Sequence, residues 1–171
     1  MKALFVAGET SGDLHASYLI KSFKKIDPDI KFYGIGGNKM KEAGAKIIYP
    51  YAKIDIVGFG EVISKISRLR EARRQISLLI RKNKIDFAVT IDFPGFNIPI
   101  ARSLKKKGIP VFYFIAPQIW AWGKWRRKSL SEYFKGLFVI YPFEKDFFKK
   151  EGINSFFEGN PLVEIVITEE N

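Results

Sequence analysis

Short apolar runs alternate along this chain with longer segments in which apolar residues recur every three or four positions. The short runs predict strands that are buried on both faces, and the longer segments predict amphipathic helices. The predicted strands span 2–7, 32–34, 46–49, 87–91, 111–115, 136–140 and 156–157. The predicted helices span 11–27, 38–43, 61–82, 98–107, 124–134 and 142–152. This alternation is typical of an α/β fold, here a Rossmann-like parallel sheet with helices on both faces and ligands at the carboxyl ends of the strands.

The composition limits the chemistry that the chain can perform. Its 171 residues suffice for one domain with a core of its own. The chain has no cysteine and a single histidine, His15, which excludes disulfides, thiolate chemistry and a multi-histidine metal site. We expect His15 to be a surface or capping residue. No apolar run is long enough to cross a bilayer and the first residues lack the features of a signal peptide, so a cytoplasmic location is expected.

Positive charge is the second feature of the composition. The 29 Lys and Arg residues outnumber the 18 Asp and Glu residues, which gives a formal net charge of +11. Such a balance favours phosphate-bearing partners: nucleic acid, an anionic membrane or phosphorylated metabolites. The cations are concentrated in the segments 65–82, 102–107 and 124–128. Solvated helix faces carry the same residues, so charge alone does not decide between these interpretations.

The loop after the first predicted strand, residues 8–13, reads Gly-Glu-Thr-Ser-Gly-Asp. Thr10 or Ser11 is placed to cap the following helix. The glycine spacing differs from that of a dinucleotide-binding loop, and two acids beside a helix N-terminus would repel a pyrophosphate. Glu9 and Asp13 are better suited to sugar hydroxyls.

The loop after the second predicted strand, residues 34–40, is also rich in glycine. Its backbone amides, at Gly36 and Gly37, are in a position to hold a phosphate with help from Lys39. A purely structural turn would have the same composition, and the residues leave both interpretations open.

Asp92 directly follows the predicted strand 87–91 and therefore lies at a carboxyl strand end in an apolar setting. Such a setting raises the pKa of a carboxyl group and suits it to general-base catalysis. The alternative is an Asx turn that leads into Pro94.

All three tryptophans of the chain fall within six residues, in a segment that also carries four cations. The segment contains Trp120, Trp122, Lys124, Trp125, Arg126, Arg127 and Lys128. A core can absorb one or two tryptophans, but three that are interleaved with charge are typical of a surface that meets a lipid, an aromatic ligand or nucleic acid.

Together these loop sequences resemble those of the lipid A disaccharide synthase family, whose members are bacterial glycosyltransferases of GT-B architecture. The resemblance rests on seven segments that occur in the family's order and cover nearly the whole chain. They are VAGETSGD (6–13), GIGGNKM (34–40), DIVGFGEVI (55–63), DFPGFN (92–97), PQIWAWGKWRRK (117–128), YPFEKDFF (141–148) and FEGNPL (157–162). The first segment and the tryptophan segment are the most specific.

The resemblance implies an inverting sugar transfer. Family members move 2,3-diacylglucosamine from its UDP derivative to the 6-hydroxyl of 2,3-diacylglucosamine 1-phosphate (lipid X), which gives a β-1,6-linked disaccharide 1-phosphate and UDP. By likeness, Asp92 is the general base that takes the proton of this hydroxyl. Substrate contacts are expected from Glu9, Thr10, Ser11, Gly12, Asp13, Gly36, Gly37 and Asn97. No metal or organic cofactor is expected, since enzymes of this architecture stabilise the leaving diphosphate with helix N-termini and side chains.

The resemblance covers one of the family's two domains. Residues 1–160 match the acceptor-side domain that carries the catalytic base, and residues 161–171 match the start of the interdomain linker. The C-terminal nucleotide-binding domain has no counterpart in the sequence. We therefore expect activity to require a C-terminal half or a second subunit. The chain also has Gly95 where many members have a second acid.

The family's substrates are anionic and diacylated, so the resemblance assigns the basic and aromatic residues to an anionic membrane surface. A cytoplasmic protein bound peripherally to the inner membrane is expected. Contact with the membrane or the acyl chains is assigned to Trp120, Trp122, Trp125, Lys124, Arg126 and Arg127. Two hypotheses compete with this one. One is a basic nucleic-acid-binding module, although no signature of such a module is present and acids occupy its best loop. The other is a non-catalytic docking domain.

Overall fold

A computed structural model of the chain describes residues 1–53 and 62–161, with the backbone alone for 62–66. The strands are β1 (Lys2–Ala7), β2 (Lys31–Gly36), β3 (Ala45–Pro50), β4 (Phe87–Ile91), β5 (Val111–Phe114), β6 (Gly136–Val139) and β7 (Ser155–Phe157). The helices are α1 (Thr10–Ile26), α2 (Asn38–Glu42), α3 (Val62–Lys82), α4 (Pro94–Lys105), α5 (Arg127–Tyr133) and α6 (Pro142–Lys150). Short 3-10 helices lie at Tyr51–Lys53 and Lys124–Arg126. The predicted Rossmann-like α/β fold is confirmed.

The strand order of the sheet is β3-β2-β1-β4-β5-β6-β7, and each neighbouring pair is parallel. The chain moves outward from β1 to β3 and then returns, so that β4 pairs with the other edge of β1. Such a reversal leaves a crevice between the carboxyl ends of the two central strands, where sheets of this type bind ligands. Ala7 at the end of β1 aligns with Ile91 at the end of β4. The loops that begin at Gly8 and Asp92 therefore flank one crevice.

Two apolar layers cover the sheet, since alternate residues of each strand point to opposite faces. In β1, Ala3 and Phe5 pack in the layer that contains α1 and α2. Leu4 and Val6 pack in the layer that contains α3, α4, α5 and α6. Helices on both faces explain why the central strands β1 and β4 are apolar along most of their length instead of alternating with polar residues.

The largest difference from the predicted boundaries lies at the start of α4. The sequence predicted a loop through residue 97, whereas the helix begins at Pro94. Proline suits the first helical position, because its missing N–H has no helical acceptor there and its φ is already helical. The connection from β4 is thereby reduced to Asp92 and Phe93, whose φ angles are 43° and 45°. A connection of two residues holds Asp92 close to the edge of the sheet.

Two predictions of the sequence concern segments that lie wholly or mostly outside the described residues. Most of the family-like segment 55–63 falls between the two described ranges, and the linker predicted at 161–171 is described only at Pro161. None of the helices in the described ranges is long and apolar enough to cross a membrane.

Candidate active site

A cleft of about 380 Å³ opens at the carboxyl edge of the sheet. Its polar lining and its one tryptophan come from α1 and from the loops after β4, β5 and β7, namely Ser11, His15, Asp92, Gln118, Trp122 and Asn160. The rest of the wall is apolar. A concave site with a few polar groups among apolar ones is the usual form of a small-molecule site. Within residues 1–53 and 62–161, no three carboxylate or imidazole side chains are grouped as metal ligands.

The backbone of Asp92 is held by three hydrogen bonds. Its amide donates to the carbonyl oxygen of Phe114 (3.0 Å), which extends the pairing of β4 with β5 by one residue. Its carbonyl oxygen accepts from the side-chain amide of Asn97 (2.5 Å) and from the hydroxyl of Tyr113 (2.6 Å). These contacts stabilise a left-handed backbone conformation that is unfavourable for a residue with a side chain. Strain of this kind is concentrated at functional sites.

Burial raises the pKa of the Asp92 carboxyl, and the negative charge of Glu9 raises it further. The N–H of Phe93, which donates to Oδ1 (2.7 Å), and the charge of His15 lower that pKa. Because this hydrogen bond comes from the next residue and Pro94 has no N–H, the side chain does not form the Asx turn considered above. A partly buried carboxylate with a raised pKa is a stronger base, which suits proton abstraction.

Asn97 holds the loop of Asp92 and does not line the cleft. It is fully buried on α4, and its Nδ2 also donates to the carbonyl oxygen of Ile91 (2.8 Å). The amide therefore satisfies main-chain oxygens at the point where β4 ends. The sequence assigned Asn97 to the substrate, whereas its contacts make it a residue that positions Asp92.

The first loop brings Glu9 and Ser11 to the crevice. Ser11 lines the cleft and donates to Oε1 of Glu9 (2.5 Å), whose charge acts on Asp92. The hydroxyl of Thr10 is paired instead with the hydroxyl of Tyr51 (3.1 Å). The prediction that Thr10 or Ser11 caps α1 is wrong, because Glu9 occupies the capping position and no side chain makes a capping bond there.

Gly12 lies where the first turn of α1 meets the sheet. A Cβ at this position would come within 3.3 Å of the Cβ of Ala7 and within 3.7 Å of Cγ2 of Ile91. The missing side chain lets α1 approach the ends of both central strands. This approach brings Ser11 and His15 to the cleft.

Asp13 caps the next helix and does not line the cleft. It is 3% exposed, and its carboxylate accepts from the main-chain N–H groups of Gly37 (2.6 Å), Lys39 (3.0 Å) and Met40 (3.2 Å). These are the groups at the start of α2 on which a bound phosphate would depend. A Cβ at Gly36 would clash with the sulfur of Met40, so this glycine is needed for packing. These internal roles replace the sugar and phosphate contacts that the sequence assigned to Asp13, Gly36 and Gly37.

His15 is buried in the wall of the cleft, and the expectation of a surface or capping residue is wrong. It is 6% exposed and lines the cleft together with Asp92. Burial lowers the pKa of the imidazole, whereas the charge of Asp92 raises it. Its Nδ1 has no hydrogen-bond partner in the part of the chain that the structure describes. The sequence contained one signal for this position, since His15 follows Ser11 by four residues and so shares its face of α1.

The three tryptophans differ in how they are held. Trp120 is 37% exposed, and its Nε1 donates to Oε1 of the fully buried Glu144 (2.8 Å). Trp122 and Trp125 are 58% and 73% exposed. The Arg126 guanidinium lies over both of these rings, 4.7 Å and 4.8 Å from their centroids. The segment therefore exposes the rings of Trp122 and Trp125 at the surface, and the hydrogen bond from Trp120 to the buried carboxylate of Glu144 anchors one end of it.

Two residues that the sequence did not single out extend this area. Phe143 packs edge-on against Trp120, with 5.0 Å between ring centroids, and stacks on Tyr141 at 5.8 Å. Both added residues are exposed and lie between the end of β6 and the first turn of α6, whereas the tryptophans lie in the connection after β5. We call these five residues, Trp120, Trp122, Trp125, Tyr141 and Phe143, the aromatic surface. Of the predicted cations near it, Lys124 and Arg127 are both exposed, and Arg127 also forms an ion pair with Glu151 (2.5 Å).

Comparison of the sequence with known proteins gives one consistent result. Residues 3–171 match the family described as lipid-A-disaccharide synthetase. A lipid-A-disaccharide synthase of Syntrophus aciditrophicus is 42% identical over 163 residues, which are 95% of this chain and 43% of that relative. The chain thus spans less than half the length of this curated relative.

The fold is similar to that of solved structures at low sequence identity. A UDP-GlcNAc 2-epimerase from Neisseria meningitidis, solved with bound UDP-GlcNAc, matches with a TM-score of 0.69 at 15% identity, over 94% of this chain and 46% of that one. MurG from Acinetobacter baumannii matches with a TM-score of 0.58 at 14% identity, over 94% and 45% respectively. At these identities the likeness shows the fold alone.

Proposed function

Because the chain belongs to the lipid-A-disaccharide synthetase family, we propose that it forms the acceptor-side wall of an enzyme that joins two acylated glucosamine units. In this proposal, 2,3-diacylglucosamine moves from its UDP derivative to the 6-hydroxyl of 2,3-diacylglucosamine 1-phosphate, with inversion and release of UDP. The donor nucleotide is held by a C-terminal half or a second subunit, since the chain covers only 43% of the Syntrophus relative. The proposal involves no metal or organic cofactor.

The observation that carries this proposal is the position of Asp92 at the crevice between β1 and β4. Its carboxylate lines the cleft, and its backbone is fixed by Asn97 and Tyr113. In the proposed step, the carboxylate takes the proton of the acceptor hydroxyl while the hydroxyl oxygen bonds to the anomeric carbon. The bond from that carbon to the diphosphate breaks, and its electron pair leaves with UDP. A positioned general base of this kind contributes about 10²- to 10⁴-fold to the rate.

The remaining polar groups of the cleft are assigned to the sugar. Ser11 lies in the lining beside Glu9, and the pair can donate and accept hydrogen bonds to hydroxyls. Gln118, from the loop after β5, is a further polar group in the same wall. Neutral and acidic groups of this kind suit a sugar better than a pyrophosphate, which agrees with the placement of the nucleotide elsewhere.

The aromatic surface is assigned to the acyl chains and to the membrane that supplies them. Trp122 belongs both to this surface and to the cleft lining, so an acyl chain that leaves the cleft meets the aromatic surface first. Exposed tryptophans next to cations are typical of a protein that binds at the interface of an anionic membrane. The proposed location is therefore the cytoplasmic face of the inner membrane, with peripheral binding.

The experiment combines the chain with the separately expressed remainder of the Syntrophus aciditrophicus relative and measures UDP release from the donor in the presence of lipid X. We expect release only when both parts are present, and a loss of at least about 100-fold with Asp92→Asn. Asp27→Asn, at the far end of α1, is the matched control and leaves the rate unchanged.

Two outcomes would favour the competing functions. Saturable binding of lipid X without any transfer that depends on Asp92 would indicate a non-catalytic docking domain. Tighter binding of a single-stranded oligonucleotide than of lipid X would indicate a nucleic-acid-binding module. Both are measured on the chain alone, by titration at the same ionic strength, because the affinity of a basic protein for anions falls with salt.

A further inference from the structure

The cleft contains a second group that can accept a proton. His15 reaches it from α1, whose first turn lies against the ends of β1 and β4 because Gly12 leaves room there. The same cleft is lined by Asp92, which follows β4. The packing of one helix therefore brings the single imidazole of the chain to the proposed catalytic base.

The imidazole has a nitrogen without a partner. His15 is almost fully buried, and no donor or acceptor among the described residues meets its Nδ1. Buried polar atoms are nearly always hydrogen-bonded, so an exception needs an explanation. His15 also lines the cleft that holds the carboxylate of Asp92, and an imidazole in such a place can take part in acid–base chemistry.

We propose that His15 is the second proton carrier of this site, which takes from Asp92 the proton that Asp92 removes from the acceptor hydroxyl. The proposal rests on the sugar transfer proposed above but adds a residue to it. The acceptor O–H bond breaks as its oxygen bonds to the anomeric carbon, and the proton passes to the Asp92 carboxylate. It then passes to a ring nitrogen of His15, which restores the carboxylate, and the imidazolium releases it to water.

The electrostatics of the pair favour this transfer. Burial raises the pKa of Asp92 and lowers the pKa of His15, which brings the two pKa values closer together and favours proton transfer between the groups. The charge of Glu9 raises the pKa of Asp92 further. Of the other ionisable groups nearby, Tyr113 is buried, which raises its pKa well above the ordinary value, and Asp13 is engaged with the start of α2.

The test uses the fact that His15 is the only histidine. Its imidazole signals in an NMR titration are therefore unambiguous, and neither substrate nor a C-terminal half is needed. We expect Asp92→Asn to move the His15 titration to lower pH, because the negative charge that stabilises the imidazolium is lost. Asp27→Asn removes a carboxylate at the other end of α1, roughly 18 Å away along the helix, and leaves the titration in place. An unchanged His15 titration in Asp92→Asn overturns the proposal.

A reciprocal measurement does not depend on the folding of that variant. In the native chain, the carboxyl carbon signal of Asp92 is expected to show a second inflection at the pH where His15 titrates, and His15→Gln removes it. A single inflection in the native chain overturns the proposal. Because both titrations are done without substrate, they are independent of the sugar transfer. If the titrations of Asp92 and His15 are coupled but no sugar transfer is found, the pair stands and the proposed function is wrong. If sugar is transferred but the titrations are not coupled, the proposed function stands and His15 has no part in it.

Discussion

The side-chain amide of Asn97 donates a hydrogen bond to the main-chain oxygen of Asp92, and it thereby ties the first turn of α4 to the end of β4. The same nitrogen bonds the carbonyl oxygen of Ile91. One buried side chain thus replaces the backbone partners that are lost where the strand ends. These hydrogen bonds hold the backbone of Asp92 in the left-handed region, and the direction of the Asp92 side chain depends on that conformation.

Replacement of Asn97 is expected to destabilise the protein. Asn97→Ala removes both bonds and leaves buried carbonyl oxygens with fewer partners, which costs about 2 kcal/mol or more in the free energy of unfolding. Urea unfolding measures this loss. Asn154→Ala is the matched control, because Asn154 is exposed and its side-chain bond to the carbonyl of Lys135 is long (3.3 Å). That variant is expected to change stability by less than about 0.5 kcal/mol. Equal losses in the two variants would contradict the role given to Asn97.

The two central strands were predictable from the sequence because both are buried on both faces. β1 and β4 were predicted with the bounds that the structure has, Lys2–Ala7 and Phe87–Ile91. Their residues are apolar except for Lys2 and Thr90, and a glycine or an aspartate follows each strand. The start of α4 differs from the predicted one because Pro94 belongs to the first turn of the helix, where proline is favoured, and not to the loop.

The site was predictable only where it depends on the order of elements along the chain. Asp92 was found because a polar residue directly after a buried strand lies at the carboxyl edge of the sheet. The role of Asp13 depends on how close α2 comes to α1, and the burial of His15 depends on how closely α1 approaches β1 and β4. Neither distance is encoded in the local pattern. From the sequence, Asp13 was therefore expected to bind a ligand, although its carboxylate caps α2. His15 was expected at the surface, although it lines the cleft.

Ionisation of Asp92 is expected to destabilise the folded chain. Because folding raises its pKa, the folded state favours the neutral form. The resulting stabilisation is fully present below the unfolded-state pKa, near 3.8, and is lost as the pH rises through the folded-state pKa. An asparagine side chain at this position would remain neutral and keep an acceptor for the N–H of Phe93. Asp92→Asn is therefore expected to be more stable than the native chain at neutral pH, with the difference shrinking in acid. Urea unfolding at both pH values tests this, and a difference that is independent of pH would refute it.

Glu144 is expected to hold the aromatic surface in place. Its Oε1 accepts from Trp120, and its Oε2 accepts from the amides of Ile140 (3.2 Å) and Tyr141 (3.1 Å) at the start of α6. Glu144→Ala leaves these donors without their acceptor, which we expect to cost about 3 kcal/mol and to change the tryptophan fluorescence. Thermal unfolding and emission spectra measure both effects.

The control for Glu144→Ala is Glu151→Ala, because Glu151 is the carboxylate that forms an ion pair with Arg127. Glu151→Ala removes a partly exposed partner, so a loss of less than about 1 kcal/mol is expected. Unchanged emission together with a loss no larger than that of the control would show that Glu144 does not anchor Trp120.

Cations and aromatic rings of the tryptophan segment are expected to determine binding to anionic vesicles. Arg126→Ala removes a cation that lies over Trp122 and Trp125, and one cation near an anionic surface contributes about 1 kcal/mol, or roughly fivefold in affinity. Trp125→Ala removes the most exposed ring of the aromatic surface and is expected to weaken binding further. Sedimentation with phosphatidylglycerol vesicles at increasing salt measures both. Tyr18→Ala, which removes an exposed aromatic ring of α1, is the control. Binding that is insensitive to salt, or reduced equally by the control, would argue against a membrane role.

Two glycines at helix starts are expected to respond in opposite directions to the same substitution. In Gly37→Ala, the new Cβ would clash with the ring of Tyr51 and lie 2.8 Å from Oδ2 of Asp13, so the carboxylate that caps α2 must shift. We expect a loss of about 2 kcal/mol in the free energy of unfolding.

In Gly95→Ala, no atom lies within 4 Å of the new Cβ, and the residue is in the first turn of α4. Alanine is expected to stabilise this variant by about 0.5 kcal/mol, because it reduces the conformational freedom of the unfolded chain. Urea unfolding of both variants decides the matter. A tolerated Gly37→Ala would mean that Asp13 does not depend on this close contact, and it would reopen the start of α2 as a place for a bound phosphate.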